Sequence, residues 1–196
     1  MKNKGIKYWL VLLSCCGLSA SSVGIVMNTI GVFYTPVSSS LGVSQGTFTL
    51  HATFCILATA LTVLIVPRIM KKISLKLMVL IGVSLTSLST FAMGFSHHIV
   101  LFYILGIVRG MGAAMYGVIP ITIVINNWIY KQNGLATSIA LCFSGVAGSI
   151  LTPIFSSLIE SVSWKYTYFI VGIISFVLVL PFFYYLLKKS LKGSCL

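Results

Sequence analysis

Six apolar runs follow one another along the chain, at roughly 8–35, 46–66, 76–95, 99–126, 134–159 and 166–187, and charged residues fall almost entirely in the gaps between them. About 20 apolar residues, rising 1.5 Å each as a helix, cross the roughly 30 Å hydrocarbon layer of a bilayer. The pattern predicts an all-α membrane protein: one domain, residues 1–196, of six transmembrane helices joined by short loops. The start of the first run, MKNKGIK followed by YWLVLLSCCGLSASS, has the basic lead and apolar stretch of a secretory signal. Apolar character then continues past Ala20 through Val23, Ile25, Val26, Ile30 and Phe33, beyond the about 7–15 residues of a signal core. Residues 8–35 are therefore read as a retained helix.

Composition agrees with lipid as the solvent. Only 7% of residues are charged and 58% are hydrophobic, whereas a water-facing surface usually takes about a quarter charged residues. The net charge of +12 changes the picture through its placement. Lys2, Lys4 and Lys7 precede the first run; Arg68, Lys71, Lys72 and Lys76 follow the second; Lys131 follows the fourth; Lys188, Lys189 and Lys192 follow the sixth. The alternate gaps hold no charge (36–45), His97 and His98, and the pair Glu160 and Lys165. This alternation predicts that both termini and the basic loops are cytoplasmic, in a multi-pass protein of the cell membrane. No contiguous basic face is left for nucleic acid.

Candidate catalytic chemistry is nearly absent. Glu160 is the one acidic side chain of the chain, so no general acid and base pair can be assembled from carboxylates. Cys15, Cys16, Cys55 and Cys142 lie inside runs, where thiols act as small apolar groups. Cys195 lies next to the last residue and makes no prenylation box. No zinc-ligand spacing and no glycine-rich phosphate loop with a lysine occurs. The expectation is a non-enzyme without catalytic residues, metal or cofactor.

Two further patterns bear on architecture. Pro36, Pro67, Lys76 and Gly82 have counterparts in Pro120, Pro153, Lys165 and Gly172, at spacings of 31, 9 and 6 against 33, 12 and 7. Three helices repeated once would give two inverted three-helix repeats, a plan common in secondary transporters. Ser138, Cys142, Gly145, Ser149, Thr152 and Ser156 form a stripe of small residues on the fifth run, and His51, Cys55, Ala58 and Thr62 form another on the second. Small residues let helix backbones approach in lipid. Each stripe suits either packing within the chain or docking of something outside it.

The stretches GVFYTPVSSSLGVSQGTFTL (31–50), NNWIYKQNGLATSIALCFSGVAGSI (126–150) and SWKYTYFIVGI (163–173) carry a resemblance over the whole chain. It resembles the N-terminal six-helix half of a major facilitator superfamily transporter, nearest to permeases of the oxalate:formate antiporter and monocarboxylate type. The resemblance implies that helices one and four line a central cavity and that helices two and five pack on a second six-helix half. PRIMKKISLK (67–76) departs from the family's signature loop, with Pro67, Lys71 and Ser74 where Gly, Asp and Gly would fall. GMGAA (110–114) matches the motif on helix four, although Gly106 occupies the family's Arg position and Arg109 abuts the first glycine. On helix five the antiporter motif's Gly-Pro and paired glycines appear as Thr152-Pro153 and Ser156-Ser157.

Arg109 is the one charge inside any run, about ten residues or roughly 15 Å from the outer end of its helix. A charge near the midplane usually faces a cavity or a partner. Tyr116 lies seven residues on along the same face, and Asn28 on the first run sits about 9 Å in from its outer end. Guanidinium, amide and phenol together suit a small carboxylate, with Arg giving bidentate recognition. The expected function is transport of a small organic anion by half of an antiporter-like permease, in partnership with a second half or a second copy through helices two and five. The alternative is a truncated remnant or an accessory membrane subunit without transport of its own.

Overall fold

In lipid a backbone must satisfy its own hydrogen bonds, and a helix does so within one segment. The computed structural model describes residues 2–128 and 132–181, and every regular element among them is helical. Lys131, Lys188, Lys189, Lys192, Cys195 and the end of the sixth run (182–187) lie outside the described residues, as do the side chains of Lys2, Lys4 and Lys7. Span one begins as α1 (Lys2–Ser19), widens to a π-helix over Ala20–Asn28, tightens to a 3-10 turn over Ile30–Phe33 and ends as α2 (Tyr34–Leu41). Spans two and three are α3 (Gln45–Ile69) and α4 (Leu75–Met93). Span four is α5 (Ile99–Tyr116) followed, after a break at Gly117, by α6 (Val118–Trp128). Span five is α7 (Asn133–Ser161), and α8 (Trp164–Val177) covers most of the described part of the sixth run. Five of these spans are long and apolar enough to cross a membrane, and α8 is a shorter apolar helix.

The loop expected at 36–45 is largely helix. Pro36 sits in the first turn of α2, where its missing N–H has no intrahelical partner to lose. The Ser38 hydroxyl donates to the Thr35 carbonyl. Gly42, at φ 66°, then closes the helix in a left-handed cap, with Gly42 N–H on Ser39 O and Val43 N–H on Ser38 O. The connection shrinks to Gly42–Ser44. Ser44, Ser74 and Ser163 start α3, α4 and α8 by accepting a backbone N–H from Thr47, Leu77 and Lys165 respectively.

Span four is the centre of one half of the bundle, clasped by α3 and α4. A Cβ on Gly106 would lie 2.8 Å from the His51 carbonyl oxygen, and one on Gly110 would run into the Cys55 carbonyl. Two residues on, roughly 200° around the helix, a Cβ on Gly112 would lie 2.5 Å from Thr86 Oγ1 and 2.7 Å from the Gly82 carbonyl oxygen. The GMGAA motif thus serves two opposed helix contacts. Span one packs on α7, where Gly24 meets the Ser144 carbonyl and Gly148 meets the Asn28 side chain. Apolar side chains gather in two main cores along span one, one including Leu18, Val79, Tyr116 and Ile125, the other including Phe33, Phe48, Phe102 and Phe155.

The two small-residue stripes part ways. On α3, His51, Cys55 and Thr62 are buried, with His51 and Cys55 pressed on α5, so that stripe is spent on packing within the chain. Its outward face carries Leu57, Leu61 and Leu64 instead. This corrects the expectation of docking through the stripe of helix two. On α7, Ser138, Cys142, Gly145 and Ser149 are exposed, and nothing lies within 4 Å of a Cβ placed on Gly145.

Candidate functional site

Arg109 faces inward from α5 and is 3% exposed. The chain's one carboxylate side chain, Glu160, stands in the last turn of α7, and no ion pair joins it to Arg109 among the described residues. Its Nη2 donates to the Ile25 carbonyl at 3.3 Å, and its Nε–H has no hydrogen-bond partner among the described residues. The Ile25 carbonyl lies in the π-helical stretch and also accepts from Thr29 Oγ1 at 2.8 Å. Departures from α-helical winding of this kind recur at functional sites. The Arg109 charge acts on Tyr34, His51, Tyr116 and Tyr168, which belong to four different helices.

Tyr116 is fully buried beside Ser21, their oxygens 3.2 Å apart. Ser21 spends its own proton on the Ser175 carbonyl at 2.8 Å, so the phenol is the donor to Ser21. Asn28 is exposed, donates from Nδ2 to the Ser144 carbonyl at 3.1 Å, and lines an open groove of about 460 Å³ with Gly145, Gly148, Ser149, Thr152 and Pro153. No hydrogen bond among the described residues joins Arg109, Asn28 and Tyr116 directly. Each is tied instead to the same stretch of span one: Tyr116 at Ser21, Arg109 at Ile25, and Asn28 within it.

Two residues outside the sequence-derived set stand in this neighbourhood. His51, fully buried on α3, has Nδ1 2.6 Å from the Phe48 carbonyl oxygen, and its Nε2 has no partner among the described residues. Tyr168 on α8 stacks on Phe33 at 4.2 Å, with its hydroxyl likewise unpartnered among the described residues. Reading His51 as one member of a small-residue stripe hid the stronger signal. It is an ionisable side chain inside the otherwise uncharged run 46–66.

The unusual winding of span one, the buried arginine and the exposed groove beside α7 mark this part of the helical scaffold as the candidate site. Monocarboxylate transporter 7 of Homo sapiens is 22% identical over 173 residues, covering 88% of this chain and 33% of that relative. The chain therefore spans about a third of the length of the relative it matches. Residues 16–194 match the sequence profile of the Major Facilitator Superfamily. With nearly the whole chain inside that match, the protein is a multi-pass membrane protein that belongs to the Major Facilitator Superfamily.

Proposed function

We propose that the chain acts as one six-helix half of a secondary transporter for a small organic anion, with Arg109 as the principal anion ligand. The observation that carries this reading is the buried guanidinium itself. Its Nε–H is unpartnered among the described residues, and the chain's one acidic side chain, Glu160, lies near the far end of α7. Burying a charge without a counter-charge is costly, and an incoming carboxylate supplies the missing partner. The relative named as a monocarboxylate transporter supports that solute class. Asn28 and Tyr116 belong to the same reading, as groups on or against the stretch of span one that holds Arg109. Nothing in it requires an enzymatic step.

A second six-helix half, or a second copy, docks on the exposed stripe of α7. Gly145→Leu is expected to leave the chain folded, because nothing lies within 4 Å of its Cβ. It should weaken association by blocking close backbone approach. Cross-linking in liposomes with and without the substitution measures this, and unchanged association excludes α7 as the docking face. The chain alone is expected to move little or no radiolabelled carboxylate, whereas co-reconstitution with a second half restores uptake. Robust uptake by a proven monomer overturns the half-transporter reading.

Two inverted three-helix repeats fit the placement of Pro36 and Pro120. Each sits in the first turn of the helix that resumes after the break in spans one and four. The charge alternation puts the termini in the cytoplasm. Reporter fusions after Lys72 should read cytoplasmic, and fusions near Ser40, His97 and Ser161 external. A consistent reversal rules that orientation out.

A further inference from the structure

We propose that His51 is a second ligand of the buried anion site: as imidazolium, its Nε2–H donates to the anion that Arg109 holds. This rests on the reading of Arg109 as an anion ligand and extends the site to span two. The tautomer of His51 follows from its partner. The Phe48 oxygen can only accept, so Nδ1 carries the hydrogen of that 2.6 Å bond, and in the neutral ring Nε2 is left with its lone pair. That lone pair is buried and has no partner among the described residues, as is the Nε–H of Arg109. Leaving buried polar atoms unpaired is costly, so the arrangement suits an occupant that pairs with both.

The backbone geometry sets the two groups at one level. The His51 carbonyl sits over Gly106 and the Cys55 carbonyl over Gly110, so α3 and α5 touch along the turn of α5 that contains Arg109. The charged or titratable groups facing His51 are Arg109 from α5, Tyr34 from α2 and Cys55 one turn on along α3. Tyr168 of α8 lies within reach of the same Arg109 charge. A proton delivered by water to Nε2 leaves the Nδ1–H bond to Phe48 in place and creates a second cation beside Arg109. Alone, that pair repels. With one anion seated between them, the buried site regains the single positive charge it had with neutral His51. Proton and anion therefore favour each other's binding, and the effect is reciprocal.

The test is nuclear magnetic resonance of the full chain, with nitrogen-labelled histidine, in lipid nanodiscs. Three histidines are present, and the exposed His97 and His98 are assigned by His97→Gln and His98→Gln, leaving His51 untouched. Titration is followed without added carboxylate and then with formate, acetate and oxalate in turn. The expected result is that at least one of the three moves the His51 transition to higher pH by one unit or more, a tenfold coupling. His97 and His98 should not move. A His51 signal indifferent to all three anions, or one that stays neutral throughout, overturns the proposal. In Arg109→Gln the shift should vanish. If it persists there, His51 binds the anion without Arg109, and the reading of Arg109 fails while that of His51 stands. His51→Asn keeps a donor for the Phe48 carbonyl and should bind the same anion with affinity independent of pH. Wild-type pH dependence in that variant also overturns the proposal.

Discussion

Arg109→Gln should abolish organic-anion uptake in a reconstituted full assembly, and Arg109→Lys should impair it without abolishing it. The guanidinium is buried and held by one backbone bond to Ile25, with Nε–H unpartnered among the described residues. Glutamine keeps a donor for the Ile25 carbonyl but removes the charge that offsets an anion's desolvation. Hydrogen bonds to charged groups contribute about 1.5–3 kcal/mol each, so losing a bidentate pair costs on the order of a hundredfold or more in binding. Lysine retains the charge and loses the planar fork, so its deficit should be smaller and should depend on the geometry of the anion. Initial uptake rates, normalised to folded protein, decide the matter. Two folded, fully active variants would falsify Arg109 as the anion site.

Gly112→Val should be strongly destabilising. Gly82 and Gly112 face each other where α4 crosses α5, and a Cβ on either would lie within 3 Å of the other's carbonyl oxygen, at 2.8 and 2.7 Å. Thr86 Oγ1 closes the third side at 2.5 Å while bonded to the carbonyls of Gly82 and Arg109. Backbone, rather than the end of a flexible side chain, would have to yield. The cost should lie at or above the upper end of the ~1–3 kcal/mol typical of overpacking. Gly145→Val on α7 is the matched control, with open space around its Cβ. Thermal unfolding in detergent should show a large loss of stability for the first and almost none for the second. Equal stabilities would show that α4 and α5 do not cross at these glycines.

The helices were readable because lipid imposes one requirement, and runs such as 46–66 and 134–159 lie inside α3 and α7. What escaped the sequence has local causes. Pro36 and the serines at 38–40 look like a loop, yet proline is tolerated in a first helical turn and Ser38 bonds back to Thr35. The π-helix over Ala20–Asn28 has no compositional mark, since widening a turn changes the hydrogen-bond register but not the residue types that suit it. Small-residue stripes on α3 and α7 look alike in sequence, and which one faces a neighbour depends on where α5 lies. Arg109 stood out because charge in an apolar run is conspicuous. Its acceptor did not, because a backbone carbonyl such as that of Ile25 has no side-chain signature.

The dependence of Arg109 on a carbonyl in span one also bears on how the chain enters the membrane. Most hydroxyls in the spans ask nothing of their neighbours: Ser14, Ser22, Thr62, Ser89 and Thr90 each donate to the carbonyl four residues back in the same helix. Such helices can pass from the translocon into lipid one at a time. Arg109 is different, costing about 2.5–3.5 kcal/mol at a helix centre. Its own helix supplies Ile99, Val100, Leu101, Phe102, Ile104, Leu105, Ile107 and Val108, which at roughly 0.3–0.6 kcal/mol each are about enough to carry it in. The acceptor that finally quenches it is made earlier on the ribosome. When α5 arrives, Ile25 is already in the bilayer, as is Ser21 for Tyr116, and Asn28 is in place before α7 presents the Ser144 carbonyl. Synthesis from the N-terminus thus lays down a template first and delivers the awkward polar groups to it afterwards.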